Sequence, residues 1–180
     1  MKKLCTKEII DKILVMSIIM VISGIFGFIY EVLFYKIELG YFVKRGTVYG
    51  PWIPIYGFGG VFIFITTYKY KDKASLTFLI SLLVCGLLEF MTGYLLYHIE
   101  GIRLWDYNNE ILNSGNIGGY VCLRSVVFFG ISGLFLMRCV LPLITNLKTK
   151  LSSEKFSFIS IFPCMLFLID FIVSDIFKLK

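Results

Sequence analysis

The chain has 180 residues, of which 58% are hydrophobic and 17% are charged. Soluble domains are about half apolar and about a quarter charged, so this composition excludes an ordinary soluble domain. The net charge is +6. Because the lysines lie beside apolar runs, we expect them to meet the anionic headgroups of a lipid bilayer and not nucleic acid.

Metal and cofactor sites are not expected. The five cysteines form no CxxC pair, and the chain contains a single histidine, so a ligand set for a metal ion is missing. The sequence also has no Walker A loop, no GxGxxG turn and no nucleophile elbow. No catalytic residue can be named from such motifs.

Long apolar runs with at most one or two ionisable groups are typical of membrane-spanning helices. We therefore predict an all-α polytopic membrane protein that forms a single domain over residues 1–180. About five transmembrane helices are expected, at about 13–35, 55–68, 74–97, 121–141 and 156–177. Pro142 is expected to stop the fourth helix, and Pro163 is expected to kink the fifth.

The segment 45–60, RGTVYGPWIPIYGFGG, cannot continue either of the apolar helices that flank it. Pro51 and Pro54 interrupt helical geometry, whereas Trp52 and Tyr56 are amphipathic aromatics typical of a membrane–water boundary. We predict an interfacial or re-entrant segment here. An ordinary interfacial loop is the alternative.

Lysine and arginine are distributed unevenly between the two sets of helix flanks. The N-terminal head and the segments 69–73 and 145–155 carry more of them than the opposite flanks. By the positive-inside rule, we expect a multi-pass protein of the plasma membrane with a cytoplasmic N-terminus. The segments 45–60 and 98–120 then lie outside.

Four ionisable residues are expected inside spanning helices, at a cost of roughly 2.5–3.5 kcal/mol each. They are Glu31, Glu89, Arg124 and Asp170, and a rise of about 1.5 Å per residue puts them in the same outer half of the membrane. Arg124 can hold a carboxylate in a bidentate geometry, and we expect it to pair with Glu31, leaving Glu89 freer. The cluster is either a structural ion-pair lock or a polar pocket for a solute or for proton transfer.

The WDYNN motif lies in the polar segment between the third and fourth helices. Trp105 and Tyr107 are expected to anchor this segment at the membrane interface. Asp106 is expected to turn the chain by capping its own backbone, and a role in a site is the alternative.

Four motifs follow one another in the sequence: GPWIPIYGFGG, LLEF around Glu89, WDYNN, and NIGGYVCLRSVVFFG. In this order and spacing, the chain resembles the small bacterial membrane proteins of the ABC-transporter type IV, or CmpB-like, permease family over roughly residues 24–130. Phe129-Gly130 stands where that family usually has Trp-Gly. The family's motif residues correspond to Glu31, Gly50, Pro51, Pro54, Tyr56, Gly57, Glu89, Trp105, Asp106, Tyr107, Asn116 and Gly119.

The resemblance implies the membrane subunit of a transporter, whose polar cluster binds or gates a solute. The candidates for this role are Glu31, Arg45, Trp52, Tyr56, Glu89, Trp105, Asp106, Asn116, Arg124 and Asp170. Five helices enclose little space, so we expect a homodimer or a partner membrane subunit. An ATPase subunit is a further candidate partner, because the chain has no P-loop of its own.

Two other functions stay open. The first is a membrane-embedded enzyme acting on a lipid-linked substrate, in which Glu89 or Asp106 would exchange protons while Arg45 and Arg124 held phosphate. No nucleophile–base pair or metal set is visible in the sequence to support it. The second is a non-catalytic membrane protein that stabilises a partner complex.

Overall fold

The computed structural model describes the backbone of residues 2–178 and the side chains of residues 7–174. Over this range the regular structure is helical, apart from an isolated bridge between Ile117 and Val121. The helices are α1 Lys2–Leu39, α2 Pro54–Thr67, α3 Ala74–Leu95, α4 Leu123–Phe135, α5 Leu141–Lys150 and α6 Ser153–Lys178. The predicted all-α fold is confirmed.

Within the described residues, four helical stretches are long and apolar enough to cross a membrane: Lys7–Leu39, Ala74–Glu100, Leu123–Lys150 and Ser153–Ser174. The other predicted helix is present as α2, which has 14 residues. At 1.5 Å per residue it is about 21 Å long, whereas the hydrocarbon core of a bilayer is about 30 Å thick. The prediction of about five spanning helices is therefore close, with one helix shorter than a full span.

The fourth predicted helix does not stop at Pro142, and this expectation was wrong. A wide π turn, Leu136–Val140, follows α4, and α5 continues as far as Lys150 with Pro142 in its first turn. The helical stretch is continuous from Leu123 to Lys150, so the missing N–H of Pro142 leaves one helical hydrogen bond unmade, directly after the wide π turn. The predicted connection at 145–155 is thereby reduced to Leu151 and Ser152. Pro163 lies inside α6, and the kink there stays a prediction.

The chain divides into two compact units. The first unit comprises residues up to 61 together with those from 140 onwards, and so contains α1, α5, α6 and the start of α2. The second unit comprises residues 62–139, with the end of α2, α3 and α4. The single membrane domain over the whole chain stays a prediction.

Phe167 of α6 is the centre of packing in the first unit. Its side chain is fully buried, and its ring lies 5.6 Å from that of Trp52, centroid to centroid. A Cβ atom added at Gly24 of α1 or at Gly57 of α2 would come within 2.7 Å of this ring. Glycine at these two positions therefore lets α1 and α2 approach α6 closely.

The segment predicted to be interfacial or re-entrant, which we call the re-entrant segment, folds back along α1 in the first unit. The backbone N–H of Ile53 donates a hydrogen bond of 3.0 Å to the carbonyl of Gly24, which lies at the middle of the apolar run 13–35 and about 22 Å from the end of α1. The chain thus returns along α1 before α2 begins. Gly60 then packs against Ser23, so α2 runs antiparallel to α1.

Small residues also bring α3 and α4 together in the second unit. A Cβ atom at Gly86 would lie 2.7 Å from Val126, and one at Gly130 would lie 2.5 Å from Phe78. These contacts make the two helices antiparallel. Residues 101–122 connect the two helices, and Trp105 of this connection lies against Gly93 near the end of α3.

Candidate functional site

The first polar cluster, which we call the Asp170 anchor, joins α6 to the re-entrant segment. The carboxylate of Asp170 accepts hydrogen bonds from the backbone N–H groups of Tyr49 and Gly50, at 3.1 and 2.8 Å, and from the indole Nε1 of Trp52 at 2.8 Å. Ser174 donates to it at 3.2 Å from one turn further along α6. Because unsatisfied backbone groups are expensive at membrane depth, Asp170 stabilises the non-helical chain against α6.

The local sequence explains how this anchor forms. A Cβ atom at Gly50 would lie 2.5 Å from the indole ring of Trp52, so glycine leaves room for the ring to fold back towards Asp170. Pro51, which lies between the donors Gly50 N and Trp52 Nε1, has no N–H group. It therefore adds no backbone donor that would need an acceptor. The Gly-Pro-Trp order thus places two N–H donors on one carboxylate.

A second contact in the first unit ties the beginning of this segment to α1. Arg45 Nε lies 2.9 Å from a carboxylate oxygen of Glu31, and both side chains are mostly buried. The guanidinium also lies 3.8 Å from the ring centroid of Tyr35. Tyr56 packs against Gly27. The Glu31–Arg45 pair therefore holds the start of the returning chain beside the helix along which it returns.

The second polar cluster, which we call the Glu89 site, lies in the second unit. Glu89 is on α3, and its side chain is only 5% exposed. One carboxylate oxygen accepts a hydrogen bond of 2.6 Å from the hydroxyl of Tyr107, and the other accepts one of 2.7 Å from the hydroxyl of Ser125. These hydroxyls offset part of the free-energy cost of burying the carboxylate.

Tyr107 lies in the connection between α3 and α4, and it is buried. Burial raises the pKa of its hydroxyl well above the usual range, and the charge of Glu89 raises this pKa further. The Tyr107 hydroxyl therefore stays protonated and acts as a donor to Glu89. The structure thus gives Tyr107 a buried role in place of the expected interfacial anchor.

Asp106 orders the chain on either side of Tyr107. Its Oδ1 atom accepts hydrogen bonds from Arg103 at 3.1 Å, and from the backbone and side-chain nitrogens of Asn108 at 3.1 and 2.7 Å. The bond from the Asn108 backbone is the local capping expected from the sequence. Asp106 therefore shapes the turn that presents Tyr107 to the Glu89 site.

Asn116 connects the two halves of the same segment. Its amide nitrogen donates to the side-chain oxygen of Asn108 at 2.7 Å, while its own amide oxygen accepts from Gly119 N at 2.8 Å. The carbonyl of Gly119 in turn accepts from Tyr107 N at 3.1 Å. Gly119 has a φ of +82°, a conformation that favours glycine. Asn116 therefore positions Tyr107 from the opposite side of the loop.

Trp105 and Arg124 attach this segment to the helices. The indole Nε1 of Trp105 donates to the carbonyl of Tyr120 at 2.9 Å. Arg124, in the first turn of α4, lies 2.6 Å from a carboxylate oxygen of Glu110 and donates to the carbonyl of Ile111 at 3.1 Å. Its guanidinium also lies 5.3 Å from the centroid of the Tyr107 ring.

Glu31 and Arg124, which were expected to pair with each other, each have an ion-pair partner within their own unit. Arg45 holds Glu31 because the returning chain runs along α1. Glu110 holds Arg124 because the connecting segment folds back onto the start of α4. Both ion pairs depend on the path of a non-helical segment. The depth of each charged residue along its helix does not reveal that path.

The ten candidate residues divide equally between the two units. The first unit contains Glu31, Arg45, Trp52, Tyr56 and Asp170. The second unit contains Glu89, Trp105, Asp106, Asn116 and Arg124. Sequence reasoning missed Ser125 and Glu110, and it did not place Tyr107 in the site. The position of Tyr107 within WDYNN was the available signal, whereas nothing local marked Ser125 or Glu110.

The two clusters differ in what they can do chemically. In the Asp170 anchor, the carboxylate accepts hydrogen bonds from backbone N–H groups of the protein itself. The Glu89 site brings a carboxylate and two hydroxyls together at a spanning helix. Such groups can exchange protons, or hold a cationic or hydroxyl-bearing solute.

A comparison with protein-family models finds a match that extends over residues 18–175 and so includes both clusters. Searches among curated proteins and among solved structures found no match. The apolar helices and this family match agree in indicating a multi-pass membrane protein. The chain belongs to the family described as Putative ABC-transporter type IV.

Proposed function

We propose that this chain is the permease-like membrane subunit of a transporter, and that the Glu89 site is where its solute binds or its gate operates. The observation that carries the proposal is Glu89 itself, a carboxylate only 5% exposed on a helix long enough to span a membrane. Ionisable groups at such positions are costly, and they commonly mark the path of a solute or an ion. The family description supports a role in transport.

Glu89 suits this role better than Asp170 does. Asp170 accepts hydrogen bonds from two backbone N–H groups and an indole, so displacing them would release the re-entrant segment. Glu89, by contrast, binds the side-chain hydroxyls of Tyr107 and Ser125, and moving these side chains releases no backbone N–H group from the carboxylate. A solute could then take their place on the carboxylate without unfolding the backbone.

Transport by this chain would require a partner subunit that supplies the energy. The sequence contains no Walker A loop, so ATP hydrolysis would come from a separate ATPase subunit. A second copy of the chain, or another membrane subunit, would complete the path. We further propose a location in the plasma membrane with a cytoplasmic N-terminus, on the basis of the lysine-rich flanks.

Purification of the tagged full-length chain from native membranes tests this function. We expect a P-loop ATPase to co-purify in a fixed ratio, and its ATP hydrolysis to depend on the chain. The Glu89→Gln variant should retain the ATPase but lose the stimulation of hydrolysis. Glu154→Gln is the matched control, because Glu154 is an exposed acid in the first turn of α6. Recovery of the intact chain with no ATPase, or with lipid-modifying enzymes in its place, contradicts the proposal.

A further inference from the structure

We infer that residues 101–122 form a cap that lifts from the Glu89 site as one ordered piece, with the Glu110–Arg124 ion pair as its latch. The inference rests on the proposed function for its purpose, since it describes how Glu89 is reached. A connection of this length without a helix of its own is commonly functional.

The cap is ordered by bonds among its own residues. Asp106 holds Arg103 and Asn108, and Asn116 links Asn108 to Gly119. These contacts are made within the cap, so they would survive its displacement. The cap is therefore built to move as a piece and not to unravel.

Gly101 is suited to act as the hinge at one end of the cap. It has a φ of +69°, and no heavy atom lies within 4 Å of the place where a Cβ atom would be. It follows directly on the wide π turn Leu96–Glu100 at the end of α3, and such turns are frequent at functional sites. Rotation of the backbone at Gly101 would break two hydrogen bonds, from Gly101 N to the carbonyl of Tyr97 at 3.1 Å and from Ile102 N to that of Leu96 at 3.3 Å.

Polar contacts hold the cap against the helices. Tyr107 donates to Glu89, Leu123 N donates to the carbonyl of Ser114 at 3.0 Å, and Arg124 binds Glu110. A hydrogen bond between neutral groups, such as that of Leu123 N, contributes about 0.5–1.5 kcal/mol net, and one with a charged partner, such as that of Tyr107, about 1.5–3 kcal/mol. The Glu110–Arg124 pair is the strongest of them, since both partners are charged and their side chains are only 9% and 15% exposed. The ring of Tyr120 also packs against those of Phe90 and Tyr94 on α3. Among the polar contacts, the ion pair is the one whose loss we expect to raise the frequency of lifting most.

Two native cysteines allow lifting to be measured. Cys122 lies at the foot of the cap and Cys85 lies on α3, and both are almost fully buried. Two full-length proteins are prepared in nanodiscs, each retaining one of these cysteines with the other four replaced by serine. The rate of labelling by a polar maleimide is then measured with and without Glu110→Gln. We expect Cys122 to react about tenfold faster or more when the latch is broken, and Cys85, which lies one turn further from the cap than Glu89 does, to be accelerated less.

A matched control and a rescue variant sharpen the experiment. Asp11→Asn breaks the Lys148–Asp11 pair of the first unit, which spans 2.7 Å, and should leave both labelling rates unchanged. The exchanged pair Glu110→Arg with Arg124→Glu should slow the labelling of Cys122 again. This rescue separates loss of the ion pair from a general effect of either substitution.

Three results would overturn the inference. The first is an unchanged Cys122 rate in Glu110→Gln. The second is an equal acceleration of Cys85 and Cys122, which would show unfolding of the whole unit. The third is a failure of the exchanged pair to slow labelling. None of these measurements needs a solute or an ATPase, so the proposed transport function can fail while the cap is upheld, and the reverse.

Discussion

The hydroxyl of Tyr107 donates a hydrogen bond of 2.6 Å to the carboxylate of Glu89. It thereby links the segment between α3 and α4 to a buried charge on a spanning helix. Hydrogen bonds within the WDYNN and NIGG motifs hold Tyr107 in position for this contact. Asp106 makes them on one side of Tyr107, and Asn116 makes them on the other. Removal of this link should therefore be felt by the whole second unit.

Replacement of Tyr107 by phenylalanine removes the donor while keeping the ring. A buried carboxylate then loses a hydrogen bond, which typically costs about 1.5–3 kcal/mol for a charged acceptor. We expect a lower thermal midpoint in detergent. Tyr41→Phe is the control, because Tyr41 is exposed. Equal midpoints for Tyr107→Phe and the unmodified protein would show that the hydroxyl contributes nothing to stability.

Replacement of Asp170 by asparagine should loosen the re-entrant segment. The amides of Tyr49 and Gly50 lose a charged acceptor, so we expect their hydrogen exchange to accelerate by about tenfold or more. Peptide-resolved exchange mass spectrometry measures this directly. Asp72→Asn serves as the control, since Asp72 is exposed in the second unit. Unchanged exchange at residues 49 and 50 is the outcome at odds with an anchoring role.

Gly24→Ala should destabilise the first unit, because the new Cβ atom would lie 2.7 Å from the ring of Phe167. Overpacking of this kind typically costs about 1–3 kcal/mol. Phe167→Leu frees space at the same point, and the double variant should lose less stability than the two single losses added together. Strict additivity in thermal unfolding would place the two residues out of contact.

The two ion pairs can be compared by double-mutant cycles within each unit. Arg124→Gln and Glu110→Gln should be coupled by about 0.5–3 kcal/mol, and so should Arg45→Gln and Glu31→Gln. The reason is that each pair spans less than 3 Å and is mostly buried. Thermal unfolding of all the single and double variants in one detergent gives the coupling energies. Coupling near zero in either cycle rules out that pair as a stabilising contact.

The sequence was sufficient for the helices, since apolar runs must be buried in lipid or protein whatever the tertiary contacts are. It was also sufficient for the re-entrant segment, because Pro51 and Pro54 forbid a continuous helix. It was insufficient for the partners of Glu31 and Arg124. Which residue pairs with each of them depends on the direction in which a non-helical segment folds back. Tertiary contacts determine that direction, for example the hydrogen bond from Ile53 N to the carbonyl of Gly24.

The same limit explains the errors at single residues. Pro142 was expected to end a helix on the basis of its ring alone, but the helical stretch continues through it, directly after a wide π turn. Tyr107 carries the amphipathic character of an interfacial residue, and only the fold of its loop shows that its hydroxyl points to Glu89. In both cases the properties of the side chain were known from the sequence. The position of the residue in the fold, which the sequence did not reveal, determined its role.

Orientation is tested by labelling a cysteine placed at position 72 in an otherwise cysteine-free protein. The lysine-rich flanks predict that this position is cytoplasmic. An impermeant maleimide should therefore react with it in opened membranes but not in intact cells. A cysteine at position 108, in the WDYNN motif, serves as the opposite control and should react in both. The topology is inverted if position 72 reacts in intact cells and position 108 does not.

The most direct test of a transport role for Glu89 is ATP hydrolysis by the chain and its co-purified ATPase, reconstituted together in nanodiscs. We predict that Glu89→Gln assembles with the ATPase and elutes as the unmodified complex does. Its rate of ATP hydrolysis should be lower by a factor of about ten or more, and a factor of ten is equivalent to about 1.4 kcal/mol in the activation barrier. Glu154→Gln should match the unmodified complex. Full hydrolysis by an assembled Glu89→Gln complex would contradict the assignment of Glu89 to the functional site.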